Sequence, residues 1–244
     1  FVDSFGKRDI ANTKYPRNNW GVQDYDLYQF SLKQVESMPS PFVIGINGAT
    51  THDLIVPEGF QQKHFSNDKG LNTMLNTYRF ADFSLQYFIE KIKESYPNTV
   101  FVLFADHTGS RISDNLENYL IPFAIYAPNI LTAQYKDTVM SQRDIAPSLY
   151  DLIIGDHTKT QFSGKSIFRD VNYFSDYFHN NVLGWIEADD VVEINIQTDN
   201  LSCFKLNKLQ KQTVKCENKH ENLKNHALSF THYYQNLLFN AKDK

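Results

Sequence analysis

Long apolar runs are absent from this 244-residue chain. A helix that crosses a bilayer needs about 20 consecutive apolar residues, and no segment approaches that length. The chain also lacks an initiating Met and the basic and apolar stretches of a signal peptide. It begins instead at Phe1 with F-V-D-S-F, a sequence typical of the interior of a folded protein. We therefore expect it to be part of a longer protein whose targeting signals lie elsewhere.

Positive charge is neither abundant nor clustered. The 24 Lys and Arg residues are outnumbered by 28 Asp and Glu residues, which gives a net charge of −4. Nucleic-acid binding needs a concentrated basic face, so we do not expect nucleic acid as a partner. Hydrophobic residues make up 41% and aromatic residues 14% of the chain, as in globular proteins rather than disordered ones.

Cysteine is scarce as well, with Cys203 and Cys216 both in the last fifth of the chain. Their closeness suits a disulfide that closes a hairpin, and a disulfide would indicate an oxidising compartment. Two unrelated thiols are the alternative that the spacing leaves open.

Apolar periodicity predicts strands that alternate with helices. The predicted helices span residues 22–37, 71–95 and 145–154, and the predicted buried strands span residues 42–46, 99–104 and 121–126. Asp144 is placed to cap the third helix, and Gly155 follows it where a left-handed residue belongs. This alternation predicts an α/β fold with a mostly parallel sheet covered by helices.

The end of the chain has a different pattern. Residues 182–186 and 191–196 flank a turn-like stretch and predict an antiparallel hairpin. A final helix is predicted over about residues 221–238. We therefore divide the chain into a larger domain, residues 1–170, and a C-terminal subdomain, residues 171–244.

The sharpest chemical feature is Asp106-His107, directly after the predicted strand 99–104. Ligands of open α/β sheets bind at the carboxyl ends of strands. Carboxylate oxygen and imidazole nitrogen are good ligands for Zn²⁺ or Mn²⁺. The alternative is a loop Asp that caps a turn beside an exposed His. Asp156-His157 repeats the dipeptide but follows a helix, so we assign chemistry only to the first pair.

His52 lies in a second loop at a predicted strand end, in Thr50-Thr51-His52. It could donate a proton or a hydrogen bond to a phosphoryl oxygen, although a solvated loop His is the alternative. Arg111, five residues beyond Asp106, could neutralise an anionic substrate, with a surface arginine as the alternative.

Seven short motifs occur in one order along residues 20–166. They are W-G-V-Q-D at 20–24, T-T-H at 50–52, Y-R-F-A-D at 78–82, A-D-H at 105–107, I-P-F-A-I-Y-A-P at 121–128, D-I-A-P-S-L at 144–149 and F-S-G-K-S at 162–166. Together they resemble the lipoteichoic-acid-synthase-like branch of the sulfatase family, in the alkaline phosphatase superfamily.

This resemblance implies an α/β/α sandwich built on a mixed, mostly parallel sheet. It also implies a protein anchored in the cell membrane through a region before Phe1, with its catalytic domain outside the cytoplasm, in the periplasm. The tail, with its two cysteines and final helix, looks like that of Gram-negative members and favours the Cys203–Cys216 disulfide.

For the site, the resemblance implies a divalent metal held by Asp106 and His107. Mn or Mg is expected, with Zn or Ca as alternatives. His52 would line the substrate site as a catalytic residue, and the substrate would be an anionic lipid-linked or glycan molecule. The sequence departs from the family's pattern between His52 and Pro57, where it has Asp53-Leu54-Ile55-Val56.

The family's nucleophile and its acidic metal ligand lie upstream of the matched motifs, so we expect the chain alone to be inactive. The resulting prediction is a metal-dependent transferase of the phosphoglycerol type or a phosphodiester hydrolase. An arylsulfatase-like hydrolase of sulfate esters and a non-catalytic extracytoplasmic binding module are the alternatives.

Overall fold

A computed structural model describes residues 3–109, 116–155, 162–169, 171 and 173–240 of the chain. The chain forms two compact units. The N-terminal unit comprises Phe1–Gly109 and Ile121–Ala133, and the C-terminal unit comprises Ser110–Leu120 and Gln134–Lys244. The boundary predicted after residue 170 was based on a change in the pattern of helices and strands, not on packing, and it stays a prediction. None of the helices in the described ranges is both long and apolar enough to span a membrane.

The N-terminal unit is built from two helices and a pair of strands. Helix α1 spans Asp24–Glu36 and helix α2 spans Lys69–Ser95, close to the predicted bounds. Strands β1, Phe101–Phe104, and β2, Phe123–Tyr126, pair in the antiparallel sense. The helices pack against each other. Their shared core is a cluster of buried apolar side chains, namely Val35, Phe88, Ile92 and Phe101.

The strand predicted over residues 42–46 is wrong. Phe42, Ile44 and Ile46 do pack against the core of the N-terminal unit, whereas Val43 is 64% exposed. The segment therefore has the alternating pattern of a strand, but no strand in the described residues pairs with it. Without a neighbour, its backbone groups form no hydrogen-bonded ladder.

The C-terminal unit contains helix α3, Ile145–Ile154, a five-stranded sheet and helix α4, Asn218–Asn240. The strands are β3, Phe174–His179; β4, Val182–Glu187; β5, Asp190–Asn195; β6, Leu201–Asn207; and β7, Gln210–Val214. They follow one another across the sheet in chain order, and every pair is antiparallel. The predicted hairpin is therefore the β4–β5 pair of a larger sheet.

Both faces of this sheet are covered. On one face, Trp185 and Val192 pack with Leu223 and Ala227 of α4. On the other face, a second cluster joins Leu116, Tyr177, Ile186 and Val191. Each fully buried apolar side chain contributes about 1.5–3 kcal/mol to folding, so this unit has a substantial core. The α/β class is confirmed. All strand pairs in the described ranges are antiparallel, so the mostly parallel sheet is not confirmed and stays a prediction.

Cys203 and Cys216 form a disulfide, with their Cα atoms 5.4 Å apart. Cys203 lies on β6, opposite Val214 of β7, and Cys216 lies between β7 and α4. The bond therefore fixes the chain where it leaves the sheet to enter the helix.

The start of α3 differs from the prediction. Asp144 makes no side-chain cap to the helix. Its carboxylate instead accepts hydrogen bonds from the backbone N–H groups of Ser141 and Lys165, both at 2.7 Å.

Two glycines near α3 occupy positions that suit glycine. A Cβ atom at Gly164 would lie 2.1 Å from the Arg143 carbonyl oxygen, so only glycine fits this close approach. Gly155 ends α3 in the left-handed region, as predicted, with φ of 68°.

Candidate active site

The ring of His52 lies beside the rings of both Trp20 and His107. The rings of Trp20 and His52 are stacked, with centroids 3.7 Å apart and planes inclined by 27°. The rings of His107 and His52 are nearly perpendicular, with centroids 6.0 Å apart and planes inclined by 81°. The structure thus brings together the two histidines that the sequence placed in separate loops.

Asp106 and His107 follow β1 after a single intervening residue, and their side chains face each other. The backbone N–H of His107 donates to Oδ1 of Asp106 at 2.9 Å. The other carboxylate oxygen, Oδ2, lies 3.6 Å from Nε2 of His107. The side chains of Asp106 and His107 are 78% and 61% exposed, so a ligand can reach both.

The ring of His107 is oriented by the backbone. Its Nδ1 atom lies 2.8 Å from the carbonyl oxygen of Thr108. A carbonyl oxygen only accepts hydrogen bonds, so this contact places a proton on Nδ1, and Nε2 is the ring atom that can bind a metal. Metal-binding histidines characteristically donate their second ring N–H to such an acceptor.

This arrangement fits two ligands of one metal ion. Two ligand atoms about 2.0–2.2 Å from one metal lie about 3.3–3.6 Å apart in tetrahedral coordination and about 2.8–3.1 Å apart in octahedral coordination. Oδ2 of Asp106 and Nε2 of His107 lie 3.6 Å apart, which is the tetrahedral separation, and rotation of these exposed side chains would give the octahedral one. Within the described ranges, no group of three or more His, Cys, Asp or Glu side chains is arranged to hold a metal. Asp106 and His107 can thus supply two metal ligands, one fewer than the three protein ligands of a typical catalytic site.

The loop that carries His52 is held by a buried carboxylate at the start of α1. Oδ1 of Asp24 accepts hydrogen bonds from the backbone N–H groups of Ala49, at 2.8 Å, and Thr50, at 3.0 Å. The N–H of Asp24 in turn donates to Oγ1 of Thr50 at 2.8 Å. The short 3₁₀ helix Thr50–His52 is thereby joined to the N-terminus of α1.

Trp20 is held in place by the loop before α1. Asn18 donates from Nδ2 to the carbonyl oxygen of Ala49 at 2.8 Å, and its Oδ1 accepts from the N–H of Trp20 at 3.0 Å. The N–H of Asn19 donates to Asp53, the residue after His52, at 2.8 Å. The two loops are thus joined on either side of the stacked rings.

The supporting residues Asp24, Asn18 and Thr50 were not among the predicted site residues. The available signal was the W-G-V-Q-D motif at 20–24, which ends at Asp24. Arg111 and the second Asp-His pair, Asp156-His157, lie outside the described residues, so the predicted role of Arg111 stays a prediction.

Comparisons with known proteins agree with this picture. The chain is 27% identical over 174 residues to the lipoteichoic acid synthase-like protein YvgJ of Bacillus subtilis (strain 168), an alignment that covers 61% of this chain and 28% of that protein. It is 23% identical over 207 residues to lipoteichoic acid synthase 1 of the same organism, covering 75% of this chain and 31% of that protein. The chain thus spans less than a third of the length of these relatives.

A solved structure shares the fold. A protein in the alkaline phosphatase superfamily from Vibrio parahaemolyticus superposes with a TM-score of 0.79 at 23% identity, over 94% of this chain and 58% of the other. The model of the family described as Sulfatase matches residues 1–155, which include both histidine loops and the whole of α3. The chain therefore belongs to the sulfatase family.

Proposed function

We propose that this chain supplies part of the active site of a metal-dependent enzyme that transfers phosphoglycerol-type groups or hydrolyses phosphodiesters. The observation that carries the proposal is the pairing of Oδ2 of Asp106 with Nε2 of His107, 3.6 Å apart, beside the ring of His52. The relatives named as lipoteichoic acid synthases favour phosphoglycerol chemistry over other reactions of the family.

Asp106 and His107 are the proposed metal ligands. His107 would bind through Nε2, because Nδ1 is engaged with the carbonyl of Thr108. Asp106 would bind through Oδ2, the carboxylate oxygen that lies 3.6 Å from Nε2 of His107. The proposed ion is Mn²⁺ or Mg²⁺, with Zn²⁺ or Ca²⁺ as alternatives. When bound, such an ion makes a hydroxyl nucleophile more acidic and offsets negative charge on the group being transferred.

His52 is the proposed catalytic residue of this chain. Trp20 stacks on its ring, and the ring of His107 lies nearly perpendicular to it at a centroid distance of 6.0 Å, so the imidazole has a fixed orientation. A ring held in this way can donate a proton or a hydrogen bond to an oxygen of the transferred group. Arg111 is proposed to neutralise the same anionic group.

The substrate class and the location follow from the same proposal. We expect an anionic lipid-linked or glycan substrate, and no nucleic acid. We also expect the natural protein to be anchored in the membrane with this domain outside the cytoplasm. The disulfide between Cys203 and Cys216 supports an oxidising compartment. The nucleophile is proposed to lie outside these 244 residues, so the isolated chain should not turn over substrate.

Replacement of His107 in the natural full-length protein tests the proposal. The His107→Ala variant should lose bound metal and at least about 100-fold of its turnover of a generic phosphodiester in Mn²⁺, because changes even to groups behind a metal ligand cost 10- to 100-fold. His64→Ala replaces another exposed histidine of the N-terminal unit and serves as the control.

Metal content is measured by mass spectrometry, and turnover is measured on a phosphodiester and on an aryl sulfate. The sulfatase-family match makes hydrolysis of sulfate esters the second candidate, and faster turnover of the aryl sulfate would favour it. Unchanged metal content and turnover in the His107→Ala protein would rule out the proposed role of the dyad. A wild-type protein that binds no metal and turns over neither substrate would favour a binding module.

A further inference from the structure

We propose that Asp24 is a positioning residue that fixes His52 in the active site by holding the backbone of Ala49 and Thr50. The inference rests on the catalytic role proposed above for His52. Asp24 itself touches none of the groups that we expect to react, so its effect is indirect.

The carboxylate of Asp24 is buried and committed to the His52 loop. The residue is only 6% exposed, and its Oδ1 atom accepts two backbone N–H groups, those of Ala49 and Thr50. Hydrogen bonds to an ionised carboxylate are roughly twice as strong as those between neutral groups. A Cβ atom at Gly48 would lie 3.0 Å from Oδ1, so glycine lets the loop approach the carboxylate this closely.

The helix also donates a hydrogen bond to the loop. The N–H of Asp24 donates to Oγ1 of Thr50 at 2.8 Å, and the hydroxyl of Thr50 donates to Oε1 of Gln23 at 3.0 Å. Thr50 is 1% exposed, so water does not replace these bonds. Asp24 is the first residue of α1, where the helix dipole stabilises a negative charge.

The consequence for the site is geometric. His52 is the last residue of the 3₁₀ helix whose first residue, Thr50, is bonded to Asp24. Loss of the carboxylate would free two backbone amides and let this short helix shift. A shift of about 1 Å in a catalytic group can cost about 100-fold in rate. Asp24 is therefore expected to affect the rate of the chemical step in addition to the stability of the fold.

The chain contains a matched control in Asp26, two residues further along the same first turn of α1. Asp26 is 5% exposed, and its carboxylate also accepts two backbone N–H groups. These belong to Lys14, at 2.6 Å, and Tyr15, at 3.0 Å, and not to the loop that carries His52. Replacement of Asp26 therefore removes an equivalent buried contact without releasing His52.

The experiment compares Asp24→Ala, Asp24→Asn and Asp26→Ala in the natural full-length protein. We expect Asp24→Ala to lower kcat by about 10- to 100-fold, with a smaller change in KM. Asp24→Asn should recover most of this loss, because an amide oxygen can accept the same two N–H groups. Asp26→Ala should lower the temperature of unfolding as much as Asp24→Ala does, while kcat stays close to wild type.

A second measurement does not depend on activity. The rate at which diethyl pyrocarbonate modifies His52, measured by peptide mass spectrometry relative to His64, should rise severalfold in Asp24→Ala and stay unchanged in Asp26→Ala. Equal rates in the two variants, or equal values of kcat, would overturn the inference. If the wild-type protein has no turnover, the proposed function fails, and the modification rate alone decides whether Asp24 positions His52.

Thr50→Val provides a further test if Asp24→Ala does not fold. This change keeps the shape of the side chain but removes the hydroxyl that accepts the N–H of Asp24 and donates to Gln23. The same rise in His52 modification and fall in kcat are expected. Wild-type values in a folded Thr50→Val protein would contradict the proposed link between helix and loop.

Discussion

The sheet of the C-terminal unit and the histidine loops of the N-terminal unit are held together in different ways. The sheet relies on continuous backbone pairing of five strands, with apolar clusters on both faces and a disulfide. The loops rely on single polar side chains, chiefly Asp24 and Asn18, which bond to backbone groups 25 to 31 residues away.

Because of this difference, the stability of the protein and its proposed chemistry depend on different regions of the chain. The side chains of Asp106 and His107, the proposed metal ligands, are largely exposed, and Trp20, which stacks on His52, is 57% exposed. Functional side chains commonly lie on loops that a rigid scaffold positions, since a loop can present polar groups that a packed sheet cannot. Changes in the sheet should therefore affect stability without affecting turnover, whereas changes in the contacts that hold the loops should also lower turnover.

Removal of the disulfide should give the largest effect on stability. The double variant Cys203→Ala, Cys216→Ala is expected to lose about 3 kcal/mol of unfolding free energy in the C-terminal unit, because the bond closes a loop of 13 residues in the unfolded chain. Hydrogen exchange of peptides from β6 and β7 would report the loss locally. Turnover at low temperature should stay at the wild-type value, and a parallel loss of turnover would break the comparison.

Gly184→Ala should have a smaller effect on the same unit. A Cβ atom at Gly184 would lie 2.1 Å from the ring of Tyr177, which faces it across the β3–β4 pair. The ring cannot move away freely, because its hydroxyl donates to Oε1 of Glu193 at 2.6 Å. Overpacking of this kind costs about 1–3 kcal/mol, which denaturant unfolding would detect.

Gly6→Ala is the control for this variant, because a Cβ atom there would meet no heavy atom within 4 Å. Equal unfolding midpoints for the Gly184→Ala, Gly6→Ala and wild-type proteins would show that the contact between Tyr177 and Gly184 does not constrain the sheet.

The smallest predicted effect is a dependence of stability on acidic pH. Burial would raise the pKa of Asp190, but hydrogen bonds from Lys219, at 2.9 Å, and Lys205, at 3.3 Å, outweigh it and lower the pKa below its ordinary value of 3.8. A lowered carboxyl pKa stabilises the fold above the ordinary pKa, and this contribution is lost as the pH falls through the lowered value.

Asp190→Asn should therefore destabilise the C-terminal unit at pH 7, and its difference from wild type should shrink below about pH 4. Urea midpoints at neutral and acidic pH would measure this change. A difference that stays constant over this range would mean that Asp190 gains no stabilisation from its charge.

The helices could be predicted well from the sequence because their apolar spacing is regular. Helix α3 has the predicted bounds, and α2 begins two residues earlier than predicted. Asp68 caps α2 through a hydrogen bond from the N–H of Leu71 at 2.7 Å. Periodicity and caps depend on residues that lie close together in the sequence, so they can be recognised without knowledge of the tertiary fold.

Three strands of the C-terminal sheet, β3, β6 and β7, were not predicted, and the pattern of β6 shows why. In β6, Leu201 and Cys203 face one apolar cluster while Phe204 and Leu206 face the other, so the strand has no simple alternation. For β3, a turn signal was available. The loop to β4 is Asn180-Asn181, and both residues have positive φ, 48° and 63°, as two-residue hairpin loops require.

The site was predictable only in part. Motif position pointed to Asp106, His107 and His52, and the structure brings the two histidine rings within 6.0 Å. The supporting contacts of Asp24 and Asn18 join residues far apart in the chain, and no local pattern encodes such pairs. The roles of all these residues stay predictions.

Anomalous scattering from Mn²⁺ bound to crystals of the natural full-length protein tests the central claim most directly. The account predicts a manganese peak within about 2.0–2.3 Å of both Nε2 of His107 and a carboxylate oxygen of Asp106. A well-occupied manganese site remote from both residues, or no peak near them at saturating Mn²⁺, would contradict it.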